Sequence, residues 1–161
     1  MTCQPAIPLL TLLLLTSVIA SAAPGLDTRP ANATCLAPVR AVGAGSVSAD
    51  WLATDVGTVA ATGSFTRSGT TFTLRGSGAD IWGTADEFHF AHRLLTGDGD
   101  LIARVTGLTN TDPWAKAGLM IRQNLTPGSP YADVMVHGDG LIALQYREAQ
   151  DGPTRQIIAA S

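Results

Sequence analysis

The sequence predicts an all-β fold of antiparallel strands, a sandwich or a barrel, and three observations lead there. From Asp50 onward, short segments carrying β-branched and aromatic residues alternate with turns built on Gly, Asp and Ser. Within several segments, apolar and polar residues alternate with the period of two that a half-buried strand requires. No long segment carries the 3.6-residue period of an amphipathic helix.

The strands can be taken in order. Gly63 to Arg67 and Thr70 to Arg75 flank Ser68-Gly69, a hairpin-type turn. Phe72 and Leu74 then share one face, and Thr71, Thr73 and Arg75 the other. Glu87 to Leu94 places Phe88 and Phe90 together, with His89 and Ala91 opposite. Thr96-Gly97-Asp98-Gly99 is a turn, and Leu101 to Thr106 follows with Leu101, Ala103 and Val105 on one side. In Ala115 to Gln123, Ala115, Ala117, Leu119 and Ile121 read as the core face, against Lys116, Gly118, Met120 and Arg122. Tyr131 to His137 and Leu141 to Arg147 are joined by Gly138-Asp139-Gly140, and Gln156 to Ala160 begins another strand.

The N-terminus has a different texture. Leu9 to Ala20 is an apolar run of signal-peptide length, too short for a helical membrane span. Ala20-Ser21-Ala22 satisfies the small-x-small cleavage rule, so residues 1–22 are expected to be a signal peptide cut after Ala22. No Lys or Arg precedes the run, which departs from the usual pattern. Residues 23–48 are rich in Ala, Pro, Gly and Ser and read as a linker. Residues 49–161 form the β domain. The expected location is extracellular, with no membrane attachment once the signal is removed. Cys35 would be the one cysteine left, unusual in an oxidising compartment.

Charged residues make up 14% of the chain and the formal net charge is -3. Nine arginines and the single Lys116 are scattered, so no basic footprint for nucleic acid and no polybasic membrane patch is present.

Three stretches carry a resemblance. They are Ser77-Gly78-Ala79-Asp80-Ile81-Trp82-Gly83-Thr84-Ala85-Asp86-Glu87-Phe88-His89-Phe90, Gly97-Asp98-Gly99-Asp100-Leu101-Ile102-Ala103-Arg104-Val105, and Thr111-Asp112-Pro113-Trp114-Ala115-Lys116-Ala117-Gly118-Leu119-Met120-Ile121-Arg122. In this order and spacing the chain resembles, from about Trp51 to its end, a concanavalin A-like accessory domain of the lectin/glucanase superfamily. Such domains are appended to secreted bacterial proteins, including glycoside hydrolases. The resemblance implies a jelly-roll β-sandwich and a bacterial source. Members of that family continue with several more strands, so the domain is expected to be incomplete at its C-terminus. Asn32-Ala33-Thr34 and Asn124-Leu125-Thr126 fit the N-glycosylation pattern, which carries no meaning in a bacterial source.

Candidate chemistry is sparse. A jelly-roll glucanase needs two carboxylates across a cleft. Related glucanases place them as Glu-x-Asp-x-x-Glu on one strand, whereas this chain has only Glu87 and Glu148 and no such motif. Asp80 and Asp86 flank Trp82 in what reads as a loop, and Asp98 and Asp100 sit in a turn, where Asp commonly serves backbone hydrogen bonding. The Asp98-Gly99-Asp100 spacing could serve a structural calcium ion, but the full loop that such a site needs is absent, and no cofactor is expected. His89 and His92 fall on opposite faces of a strand, which argues against a shared metal.

Aromatic residues are the better candidates. A pyranose ring stacks its C–H face on Trp, while its hydroxyls bond to Arg, Asp or Asn. Trp82, bracketed by glycines and aspartates, and Trp114, after Asp112-Pro113, are the candidate platforms, with Asp80 and Arg122 as polar partners. Each tryptophan has a second reading, as a core plug, which is the commoner fate of a large aromatic. Lys116, Arg104 and Arg122 read as a polar face opposite the core, either lining a concave surface or simply solvated.

Three functions follow. The first is a non-catalytic module that binds a polysaccharide or cell-surface glycan. The second is a structural or interaction domain supporting a neighbouring domain. The third, least favoured, is a glycoside hydrolase.

Overall fold

The computed structural model describes residues 11–19, 31–36, 39–41, 46–47, 50–97 and 99–160. No helix occurs among them, and every strand pairing is antiparallel. The strands begin with β1 (Thr11–Ile19), β2 (Ala31–Leu36), β3 (Val39–Ala41), β4 (Ser46–Val47) and β5 (Leu52–Val56). Next come β6 (Ser64–Ser68), β7 (Thr71–Gly76), β8 (Ile81–Trp82), β9 (Ala85–Asp86), β10 (Phe88–Thr96) and β11 (Gly99–Leu101). The last are β12 (Arg104–Leu108), β13 (Lys116–Arg122), β14 (Tyr131–His137), β15 (Ile142–Arg147) and β16 (Arg155–Ala160).

An eight-stranded sheet runs β16-β15-β14-β13-β1-β10-β4, and β5 also pairs with β10. A four-stranded sheet runs β12-β2-β7-β6. Two short pairs, β11 with β3 and β8 with β9, complete the architecture. The segment read as a linker thus contributes β2, β3 and β4, and Cys35 lies within β2. The segment read as a signal-peptide core supplies β1, between β13 and β10.

Turn chemistry fixes several joints. The β6–β7 hairpin closes on Gly69, whose φ of 60° is left-handed and favours glycine. Gly118 answers a different need. A Cβ there would run into the Val134 carbonyl and Met135, so β13 and β14 reach this separation only with glycine at that position.

Each face of the large sheet has its own packing. Ala91 and Ala117 on one face meet Phe72 and Leu74 of the four-stranded sheet, with Trp51, Phe65, Ala103, Val105 and Leu108 around them. The Trp51 and Phe72 rings meet edge-on at 4.7 Å. The other face holds Phe88, Phe90, Met120, Tyr131 and Met135, with Val56 and Ile81 packed among them. As strand alternation requires, Phe88 and Phe90 stand together, their rings 4.9 Å apart.

The expected phase of β13 needs correction. Ala115 and Ala117 are buried as expected, but Lys116, Gly118, Met120 and Arg122 are buried too, while Leu119 and Ile121 are only partly covered. Lys116 and Arg122 are therefore not a solvated face. Register supplies the reason: β14 and β15 bring Asp133, Gln145 and Arg147 to the same side of the sheet. Buried cations there find polar partners, as burial of charge demands. The histidines separate as expected. His89 Nδ1 lies 2.6 Å from Asp55 Oδ1, whereas His92 Nε2 lies 3.1 Å from Thr54 Oγ1 and its ring stacks on Phe90.

Candidate functional site

Three loops gather over the face that carries Met120 and Tyr131. The first contains the β8–β9 hairpin, turned at Gly83 with φ 60°. The others join β13 to β14 and β15 to β16. Backbone bonds tie them together: Asp86 N–H donates to Pro127 O at 3.0 Å, Thr154 N–H to Gly83 O at 2.8 Å, and Asp151 N–H to Gly128 O at 2.8 Å.

A buried charge cluster pins the hairpin from beneath. Asp86, Arg122 and Arg147 are all excluded from solvent. Arg147 forks onto Asp86 through two bonds of 2.8 and 2.7 Å, and Arg122 Nη1 lies 3.4 Å from Asp86 Oδ2. The bidentate geometry is the strong form of this pairing. Arg147 also donates to Trp82 O at 3.4 Å, Gly83 O at 3.3 Å and Gly152 O at 2.9 Å, so one side chain holds two loops. Its guanidinium lies 5.0 Å over the Tyr131 ring, and that of Arg122 lies 5.1 Å over Phe88. Burial draws Arg122 down to about 10, still charged at neutral pH. Burial raises the Asp86 carboxyl, and the two guanidiniums oppose that rise.

Beside this cluster opens a cavity of about 260 Å³ lined by Asp80, Trp82, Trp114, Lys116, Gln145 and Gln156. Trp82 is 44% exposed and Trp114 is 54% exposed. Trp114 sits on a tight turn: its N–H donates to Asp112 Oδ1 at 2.8 Å, and the Ala115 N–H donates to Asp112 O at 2.9 Å. The Trp114 ring meets the buried His137 ring edge-on at 6.2 Å. Between the tryptophans lies a polar floor. Lys116, only 1% exposed, places Nζ 2.6 Å from Asp80 Oδ1 and 3.4 Å from Gln145 Oε1. Gln145 Nε2 donates to Gln156 Oε1 at 2.7 Å.

The structure brings Trp82, Trp114 and Asp80 to one cavity. Arg122 does not line it; it is enclosed with Asp86, and no part of it faces a ligand. Lys116, read from sequence as part of a polar face either lining a concave surface or solvated, lines the cavity, and Gln145 and Gln156 join it without having been singled out from sequence. The sequence carries no signal that separates them from a solvated polar phase: Gln145 alternates with Leu144 and Tyr146 as in any half-exposed strand, and Arg155 and Gln156 put polar residues in both phases of β16. Among the described residues no group of three or more His, Cys, Asp or Glu side chains could hold a metal. Asp98, half of the candidate calcium pair, lies outside the described residues. Comparison with protein-family models, with curated proteins and with solved structures finds no match.

Proposed function

We propose that this chain is a secreted, non-catalytic module of the concanavalin A-like jelly-roll type that binds a polysaccharide or cell-surface glycan. One observation carries the reading: two half-exposed tryptophans border a single cavity whose floor is made of hydrogen-bonding side chains. That combination suits a sugar ring, which needs an apolar platform for its C–H face and fixed polar partners for its hydroxyls. The carboxylates disfavour catalysis. Asp80 is held by Lys116, and Asp86 is sealed between two guanidiniums. Neither is placed as the free acid or base that glycoside hydrolysis requires. Depletion of the protein from solution by insoluble glycans tests the reading. Trp82→Ala and Trp114→Ala should each weaken retention about tenfold or more, about 1.4 kcal/mol, with the unfolding midpoint unchanged. Retention that survives both substitutions would show that glycan does not bind at this cavity.

A second reading, an interaction domain supporting a neighbour, draws on the opposite face of β13 to β16. There Leu119, Ile121, Ala132, Val134 and Leu144 line a shallow apolar depression with Leu101, and Val134 is 51% exposed. Contiguous apolar surface of this kind marks docking surfaces. Self-association that falls when Val134 is changed to Lys would favour this reading.

A further inference from the structure

The hydrogen-bond directions in the cavity identify a class of glycan, on the footing that the site binds a glycan at all. Lys116 is the fixed point, because an ammonium only donates. Its contact with Gln145 Oε1 makes that atom the acceptor end of the amide. Gln145 Nε2 must then donate, and it does so to Gln156 Oε1. With that oxygen engaged, Gln156 keeps its Nε2 hydrogens for the cavity. At the other end, Asp80 Oδ1 accepts from Lys116 Nζ at 2.6 Å and from the Ile81 N–H at 2.7 Å. Asp80 Oδ2 takes no hydrogen bond among the described residues, and Asp80 is about a third exposed. The relay therefore ends in one acceptor, Asp80 Oδ2, and one donor, Gln156 Nε2.

Charge is balanced within the relay. The one ammonium in the lining is buried and committed to the one carboxylate. Arg155, next to Gln156, stands in the opposite strand phase, and its partner Glu148 lies 3.8 Å away. On its other side Asp80 lines a second depression together with Glu87, so the surroundings turn acidic. An anionic sugar would meet carboxylates without a spare cation. A cationic sugar would find the Asp80 charge already balanced by the Lys116 ammonium. A neutral ring with adjacent hydroxyls, each able to donate and accept, matches both ends.

We propose that the cavity takes a neutral polysaccharide, with Asp80 Oδ2 accepting from one ring hydroxyl and Gln156 Nε2 donating to a neighbouring one. The test is calorimetric titration of the full chain, at one salt concentration, with neutral polymers (hydroxyethylcellulose, xylan, mannan), polygalacturonate and glycol chitosan. At least one neutral polymer should bind at least tenfold more tightly than either charged polymer. Gln156→Glu, which replaces the outward donor with an acceptor, should weaken that binding at least fivefold, and Gln156→Ala should weaken it less. Thermal unfolding of both variants separates this loss from a loss of fold. Preference for polygalacturonate or glycol chitosan overturns the assignment and leaves the glycan-binding reading standing. So does indifference of neutral-polymer binding to both Gln156 variants. Failure of every polymer to bind overturns the assignment and the reading together.

Discussion

Asp133 lies on β14 with 2% of its surface exposed; its Oδ1 takes the Gln145 N–H at 3.2 Å, and its Oδ2 meets no donor. Burial pushes its carboxyl well above the usual carboxylate range, and Lys116 and the Gln145 N–H only partly offset this. The sign of the consequence follows from proton linkage. Above the ordinary carboxylate pKa the unfolded chain has released this proton while the folded chain keeps it. Stability from this group is therefore full at low pH and falls as pH rises toward and through the raised folded value. Asp133→Asn removes the titration and keeps an oxygen for the Gln145 N–H. Urea unfolding at about pH 4 and about pH 8 should show the variant losing less stability between the two than the parent. Equal slopes would mean that Asp133 is ionised in the fold. None of this is visible in the sequence, where Asp133 is one polar residue in an alternating strand. Its burial comes from register, which sets it between Met120 of β13 and Gln145 of β15.

At the scale of elements, much of the strand pattern could be read directly. Phe72 with Leu74, and Phe88 with Phe90, declare their faces by alternation, and Gly69 marks its hairpin by chemistry that few other residues support. The β8–β9 hairpin was less legible. Asp80 to Asp86 reads as a loop, because two two-residue strands are too short for any periodic signal. The charged phase of β13 was misread for a related reason. A Lys or Arg in a period of two looks solvated until its partners are known, and Asp80 and Asp86 reach β13 only through a separate hairpin. Trp82, Trp114 and Asp80 stood out as types suited to sugars; that they line one cavity is set by tertiary structure. The hairpin also carries a prediction. Arg147 binds Asp86 and the carbonyls of Trp82 and Gly83, so Arg147→Ala removes the main tie beneath Trp82. Breaking a buried ion pair by deleting one partner costs about 3–5 kcal/mol. Chemical denaturation should show a loss of that order, and glycan retention should fall with it at temperatures where the variant is still folded. A loss below about 1 kcal/mol would show that Arg122 alone can satisfy Asp86.

For the whole molecule, the decisive strand is β1. It pairs with β10 through eight residues and with β13 through seven, and so joins the two halves of the large sheet. Its sequence, TLLLLTSVI, serves two physical ends equally well. A short apolar run enters an export channel, and the same leucines with β-branched Thr, Val and Ile suit an interior strand of a sheet. The two roles exclude each other in one molecule, since cleavage after Ala22 removes β1. Residues 23–161 would then present the backbone donors and acceptors of β10 and β13 as unpaired edges, each a template for association. Each apolar side chain uncovered along the gap gives up roughly 1.5–3 kcal/mol. That is comparable with the net stability of a domain, about 5–15 kcal/mol. The chain beginning at Ala23 should therefore unfold with a lower midpoint and a shallower transition than the chain that keeps residues 11–19. It should also bind a hydrophobic dye before unfolding, and a synthetic peptide of residues 11–19 added in trans should reverse both effects. Sharp, dye-free unfolding of residues 23–161 without the peptide would show that β10 and β13 close on each other, or on another strand, and that β1 is dispensable to the fold.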